Sequence, residues 1–448
     1  MLCPVMSRGA PRPPAVQPLP VLAAIVVIAV LLPGAAESRI LLTLHDFGAV
    51  GDGVTDDTKA FADAWAAACA AEDDVILNVP AGGNFQIRPL TLAGPCSDDN
   101  EIKLLVSGNI VAPESPDEWR HGQRSHWLHF HKVQDLTVTG GGIIDGRGHR
   151  WWAQSSCQAL PQHPLHHKKN CAVQPAPKAL HFEDCEGISV KGITLQNSQQ
   201  HHLTFTRSSN VEAQYLRVTS PEYSVNTNGV HLVDSYNVHV MDSLISTGDD
   251  CVSMVGNCTD VRLRALSCGP GHGISIGTLG VDSSVDYVEK IKIDTLFISN
   301  AENGVRIRTT KNGVGGFARK VNFESVVMRN VTNPIIVDQG NSDHLLGSSE
   351  APTAATTAVQ VEKINYIDIT GTSASKHAIR FSCSDAEPCR HLTLDNVNLT
   401  RVDGGKASSY CRKAFGRSIG TVIPESCLSE EDFVQRVAQR SEEDEEED

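Results

Sequence analysis

Apolar and polar positions alternate in short bursts along most of this chain, and the bursts recur at a fixed step. Gly229-Val230-His231-Leu232 and Cys251-Val252-Ser253-Met254 each read as a strand of period two, and Ile274-Ser275-Ile276 repeats the pattern. From Val230 to Val252 is 252 − 230 = 22 residues, and from Val252 to Ile274 is 274 − 252 = 22. A repeat of that length predicts a solenoid, in which each coil gives short strands to long parallel sheets. Neighbouring coils then sit about 4.8 Å apart. The same step relates Asn228, Asp250 and His272, which are expected to stack as a polar ladder on one sheet. Such a stack is costly to build for stability alone, and it reads as an active site.

Further alternating segments, from Leu136-Thr137-Val138 to Leu392-Thr393-Leu394, carry the pattern along the chain. Val238 and Val261, 261 − 238 = 23 residues apart, mark a second ladder beside the first. Ahead of the coils, Asp56-Asp57-Thr58 reads as a helix N-cap. Residues 59–71 then predict a helix with Phe61, Ala64, Trp65 and Ala68 on one face. A helix there would cover the unpaired strand edge of the first coil. Longer gaps predict loops inserted between coils at 163–169 and 348–357.

Composition narrows the picture. Aromatics are 5% of the 448 residues, which suits stacked short strands better than a helical bundle. One solenoid is expected over 40–430, with 431–448 as an acidic disordered tail. Arg8 and Arg12, the apolar run 21–32 and the small residues before Glu37 predict a signal peptide over 1–36. The chain is therefore expected to be secreted, with no membrane span once that segment is cleaved. A net charge of −15 argues against nucleic acid as a partner. Loss of Cys3 leaves 12 of 13 cysteines, an even number that predicts disulfides. Cys251–Cys268, Cys383–Cys389 and Cys411–Cys427 are local candidates, with connectivity left open. Sequons at Asn257, Asn330 and Asn398 fit export. His163, His166, His167 and the pair His201-His202 read as loop histidines rather than metal ligands, and no metal or cofactor is predicted.

Asp249-Asp250 is the sharpest local feature. Neighbours on an ideal strand face opposite ways, so both serve one site only if the backbone bends, which Gly248 favours. Two carboxylates in one cleft repel, which separates their pKa values and yields an acid and a base. Hydrolysis of a glycosidic bond needs that division. Arg306 and Arg308 share a strand face and offer two forks for carboxylates, so the ligand reads as a polymer of acidic sugars. The competing reading pairs the arginines with Asp249 and Asp250 alone.

At these residues the chain resembles the plant-type polygalacturonases of the family-28 glycoside hydrolases. The resemblance runs from Asp46 to about Cys427. It includes Asp46-Phe47-Gly48-Ala49, Ile144-Asp145-Gly146, Trp151-Trp152, Gly248-Asp249-Asp250-Cys251, Gly271-His272-Gly273 and Asn333-Pro334-Ile335. It implies a right-handed parallel β-helix and inverting hydrolysis of α-1,4-galacturonan without a cofactor, by a monomer acting on acidic cell-wall polysaccharide. It implies catalytic roles for Asp249 as general acid, Asp250 as the carboxylate activating water, and His272. Substrate binding falls to Asn228, Arg306 and Arg308.

Three departures qualify that picture. The family's Asn-Thr-Asp-Gly reads Asn226-Thr227-Asn228-Gly229 here, and a carboxamide can orient water but cannot take its proton. The family's Arg-x-Lys reads Arg306-Ile307-Arg308, and Gly340-Asn341-Ser342 lacks the usual aromatic. A weakened hydrolase and a galacturonan-binding protein that has lost catalysis are therefore the two readings. A pectate lyase would share the fold but need calcium on clustered carboxylates. Asn228-Gly229 is also a deamidation sequence that could return an aspartate, though a rigid strand would suppress it.

Overall fold

The computed structural model describes residues 39–430, apart from 98–99, 120–123, 155–175, 282–283, 311–314 and 342–357. The predicted signal segment 1–36, the acidic tail 431–448 and both predicted loops lie outside these residues. His163, His166 and His167 lie outside them too.

Period-two alternation sends successive side chains inward and outward, and stacked coils set like positions over like. Among the described residues, eleven strands form the sheet on which the site is built. They are β1 (Leu90–Ala93), β2 (His126–His131), β3 (Lys178–Glu183), β4 (Leu203–Thr206) and β5 (Val230–Val233). There follow β6 (Val252–Val255), β7 (Ile274–Leu279), β8 (Asn303–Thr310), β9 (Asn333–Asn341), β10 (His377–Ser382) and β11 (Ser408–Arg412). Each pairs in parallel with the next. The result is a right-handed parallel β-helix with few helices, the fold class the 22-residue step and the motifs imply.

Two neighbouring columns of this sheet explain how it works. The inward column stacks Phe130, Phe182 and Phe205 at centroid spacings of 5.0 and 5.2 Å, then Leu232, Met254, Ile276 and Ile307. The adjacent outward column holds His129, His181, Thr204, His231, Ser253, Ser275 and Arg306. Burial of the first column stabilises the coil, and the second presents an unbroken polar row.

The other sheet has nineteen strands among the described residues, including the long segments Tyr236–Ser246, Thr259–Cys268, Asp286–Ser299 and Gly316–Val331. Val238 pairs with Val261, the second ladder seen in the spacing. Asp242, Ala265, Thr295 and Ser325 occupy one column with φ of 48, 52, 58 and 55°. A single left-handed residue bends an otherwise extended strand, so each long strand supplies two faces of its coil.

The helix forms as the periodicity predicts. α1 (Thr58–Cys69) buries Ala60, Phe61, Ala64, Trp65 and Ala68. Trp65 meets Phe130 edge-on at 5.3 Å and donates its indole N–H to the Ala93 carbonyl, which closes the first coils. The N-cap behaves differently from expectation. Asp57 makes no cap bond, because its buried carboxylate accepts from the Val50 and Gly51 amides; Asp56 takes the Thr58 amide instead. The Cys69–Cys96 disulfide, which local spacing did not suggest, ties the helix end to the body. Cys251–Cys268, Cys383–Cys389 and Cys411–Cys427 are bridged as the spacing suggested, while Cys185 and Cys258 are buried thiols.

Candidate active site

The polar knots fall just ahead of strands β5, β6 and β7 rather than on them. Val230, Val252 and Ile274 are register partners, so Asn228, Asp250 and His272 each stand two residues before a common rung. The ladder continues there in the backbone: the Gly229 amide donates to the Asp250 carbonyl, and the His272 amide to the Asp249 carbonyl.

Gly248 sets the bend. A Cβ there would lie 2.0 Å from the Ser224 carbonyl oxygen, so the close approach of the two coils requires glycine. Past it, Asp249 folds its carboxylate back so that Oδ1 accepts from the Asp250 amide at 2.8 Å. The same oxygen lies 3.0 Å from His272 Nδ1, and His272 Nε2 lies 3.4 Å from Glu302. Asp250, 6% exposed, turns the other way. Its Oδ1 accepts from Ser275 Oγ at 2.7 Å, and Arg306 Nη2 reaches Oδ1 and Oδ2 at 3.1 and 3.3 Å. Arg306 Nε also donates to Ser275 at 3.0 Å. His272 therefore partners Asp249, not its register mate Asp250. One carboxylate oxygen of Asp249, one of Asp250 and one ring nitrogen of His272 lie within 4.8 Å of one another.

Electrostatics separates the two acids. Burial pushes Asp250 up to about 6, against the pull of Arg306 and with help from the Asp249 charge. Burial would raise Asp249 as well, but the His272 hydrogen bond and charge outweigh it and hold Asp249 below its ordinary value. His272 rises above its ordinary value: burial opposes its charge, and the bond to Asp249 overcomes that. The proton of the His272–Asp249 pair thus rests on the imidazole and is donated to the Asp249 carboxylate, and Asp250 is the carboxylate that changes charge near pH 6.

Asn228, 7% exposed, donates from Nδ2 to Ser253 Oγ at 2.6 Å. Its neighbour's amide is held by Asp250, which keeps the Gly229 nitrogen from attacking the side chain and opposes deamidation. Arg306 and Arg308 share the polar face of β8. Arg306 is committed to Asp250, as the competing reading anticipated for it, and Arg308 stands in register with Asp338. Arg380 lies two coils beyond Arg306 in the same column. A polar hollow of about 410 Å³ opens beside His272, with Gly248, Gly271, Ala301, Glu302 and Glu222 also in its wall.

Sequence reasoning missed Ser253, Ser275 and Glu302. The signal for the serines was present: 275 − 253 = 22, the same step read three residues downstream. It also missed the stacked imidazoles of His126, His129 and His181 on β2 and β3, with centroids 4.4 to 5.0 Å apart. His126, His181 and Glu183 form a second group whose donor atoms lie within 4.8 Å. These atoms are already engaged. His126 and His181 meet through their Nδ1 atoms, His181 Nε2 meets Thr206, and Glu183 is bonded by His129 and Arg207. An ion would have to displace those bonds, as at Asp249, Asp250 and His272.

The sequence pattern of Glycosyl hydrolases family 28 matches residues 69–419. A probable polygalacturonase from Arabidopsis thaliana is 42% identical over 397 residues, 88% of this chain and 86% of that protein. A polygalacturonase from Persea americana is 39% identical, across 83% of this chain and 76% of its own length. Among solved structures, an endo-xylogalacturonan hydrolase from Aspergillus tubingensis superposes with a TM-score of 0.66 over 88% of this chain and all of that one. At 19% identity, that likeness shows the shared fold.

Proposed function

The chain belongs to the family 28 glycosyl hydrolases, and on that premise we propose that it hydrolyses α-1,4-linked galacturonan in the cell wall. The observation that carries this reading is the split pair at the bend after Gly248. Asp249 accepts the hydrogen bond of His272, while Asp250 is buried against Arg306 and Ser275. The His272–Asp249 pair delivers its proton to the leaving glycosidic oxygen, and Asp250 takes a proton from the attacking water. Arg308, with Arg380 further along the groove, holds substrate carboxylates against a net charge of −15. The protein acts as a secreted monomer, with 1–36 removed as a signal peptide, 40–430 as the catalytic unit and 431–448 as a solvated tail. Four disulfides among the described residues support an oxidising compartment.

The stereochemical outcome needs an argument. Carboxyl groups closer than about 5.5 Å usually signal retention, and inverting pairs stand about 6.5–9.5 Å apart. Here one oxygen of Asp249 and one of Asp250 lie within 4.8 Å of each other. Retention would require Asp250 to attack the sugar, yet both its oxygens are bonded by Arg306, and Oδ1 by Ser275 too. A carboxylate so engaged is a poor nucleophile. We therefore favour inversion, with water beside Asp250 rather than between the two acids.

One observation favours a second reading. Asn228 cannot take a proton, so a single carboxylate remains to activate water, which suits a galacturonan-binding protein without catalysis. Reducing-end release from polygalacturonate by the wild type, Asp249→Asn and Asn228→Asp separates the two. Release by the wild type and none by Asp249→Asn supports the hydrolase. A silent wild type with an active Asn228→Asp makes the natural protein a binder, and silence from all three overturns the hydrolase and means that the Arg308 or Gly340 departures have broken the site as well.

A further inference from the structure

The hydrogen bonds beside Asn228 carry a direction. Asn228 Nδ2 donates to Ser253 Oγ at 2.6 Å, and that oxygen lies 2.7 Å from His231 Nδ1. Ser253 is 2% exposed, and its hydroxyl has no other hydrogen-bond partner among the described residues. Its one proton then has a single acceptor, the lone pair of His231 Nδ1, which leaves the ring proton on Nε2. Burial, with Lys178 and against Asp249, pulls His231 down to about 4, so the imidazole is neutral and has a lone pair to offer. The His201 ring packs against it at 4.1 Å and limits its rotation. Asn228 Oδ1 faces away from Ser253; among the described residues it has no hydrogen-bond partner, and it is not among the sealed polar atoms.

The opposite polarity would have nearly the same shape. His231 Nδ1–H would donate to Ser253, Ser253 would donate to Asn228 Oδ1, and the amide NH2 would face the cleft. Only the observed direction offers the cleft an acceptor.

We propose that Ser253 and His231 are positioning residues that hold the Asn228 carboxamide with its oxygen toward the attacking water, so that an uncharged side chain does the orienting half of a carboxylate's work. The catalytic consequence rests on the hydrolytic reading above, whereas the geometry stands without it. In the step itself, one water O–H is held by Asn228 Oδ1 without transfer, and the other proton passes to Asp250. The water oxygen bonds to the anomeric carbon as the glycosidic C–O bond breaks. Its electron pair leaves with the departing oxygen, which takes the proton of the His272–Asp249 pair.

Nitrogen-15 NMR of the histidines in the full chain at neutral pH tests the direction, with His231 assigned by its loss in His231→Gln. The wild type is expected to show His231 with Nδ1 bare and Nε2 protonated. In Asn228→Asp the new carboxylate only accepts, so Ser253 must turn toward it and the His231 proton moves to Nδ1. A protonated Nδ1 in the wild type overturns the proposal, whether or not the protein cuts galacturonan. Kinetics supplies a second test. Ser253→Ala is expected to lower kcat by about tenfold, with KM little changed, because orientation of the water is lost. In the Asn228→Asp background the two carboxylate oxygens are equivalent, and the same change should cost about threefold or less. Equal losses in both backgrounds overturn the proposal. Failure of the hydrolytic reading looks different: no reducing ends from any variant, with the tautomer result intact.

Discussion

Replacement of Arg306 by methionine separates two jobs that a basic residue in this cleft could hold. Its side chain is 15% exposed and that of Asp250 8%, with 3.1 Å between them. At that distance and an effective dielectric near 20, the attraction is about 5 kcal/mol. Removal of one member of a buried pair typically costs about 3–5 kcal/mol. Asp250 escapes part of that cost by taking up a proton. Its pKa, already about 6 from burial, should rise by at least about 2 units. At about pH 5 the ionised, base-competent fraction then falls from about one tenth to about one thousandth, a loss of about 100-fold in kcat. The rising limb of the pH–rate profile should move up by the same interval. Arg306→Lys keeps a charge beside Asp250 and should hold that limb within about one unit. Steady-state rates on polygalacturonate across pH read both variants, with circular dichroism to show that each is folded. An unmoved rising limb with only a higher KM in Arg306→Met would refute the reasoning and return Arg306 to substrate binding.

Three further outcomes follow from the same geometry. The wild-type pH profile should be bell-shaped: activity falls with acidity as Asp250 gains a proton near pH 6, and falls again as His272 loses its proton above its ordinary value. A profile flat through pH 6 would remove Asp250 as the base. Proton NMR of the first product from an α-linked oligomer should show the β anomer, and an initial α anomer would establish retention despite the engaged oxygens of Asp250. Gly248→Ala must push apart backbones that leave 2.0 Å for a Cβ, so thermal unfolding should show a loss of about 1–3 kcal/mol and activity should fall further. An unchanged melting temperature would mean that the bend after Thr247 is not held by close packing.

The pattern of residues by itself determined the coil. The 22-residue step fixed the parallel register of β5, β6 and β7, because each coil of a solenoid must return to the same rung. It placed Asn228, Asp250 and His272 at one level, and the apolar face of α1 was legible from its period. What the step could not decide was which side chain meets which. Asp249 and Asp250 are adjacent in the chain, yet one turns to His272 and the other to Ser275 and Arg306, since the bend at Gly248 breaks the alternation that would assign their faces. Arg306 lies 306 − 275 = 31 residues after its register partner Ser275, so an irregular coil hid the contact from any fixed spacing. The charge states were further out of reach. Burial raises Asp250 and a bonded imidazole lowers Asp249, and burial is a property of the stacked coils around a residue, which no local stretch of sequence contains.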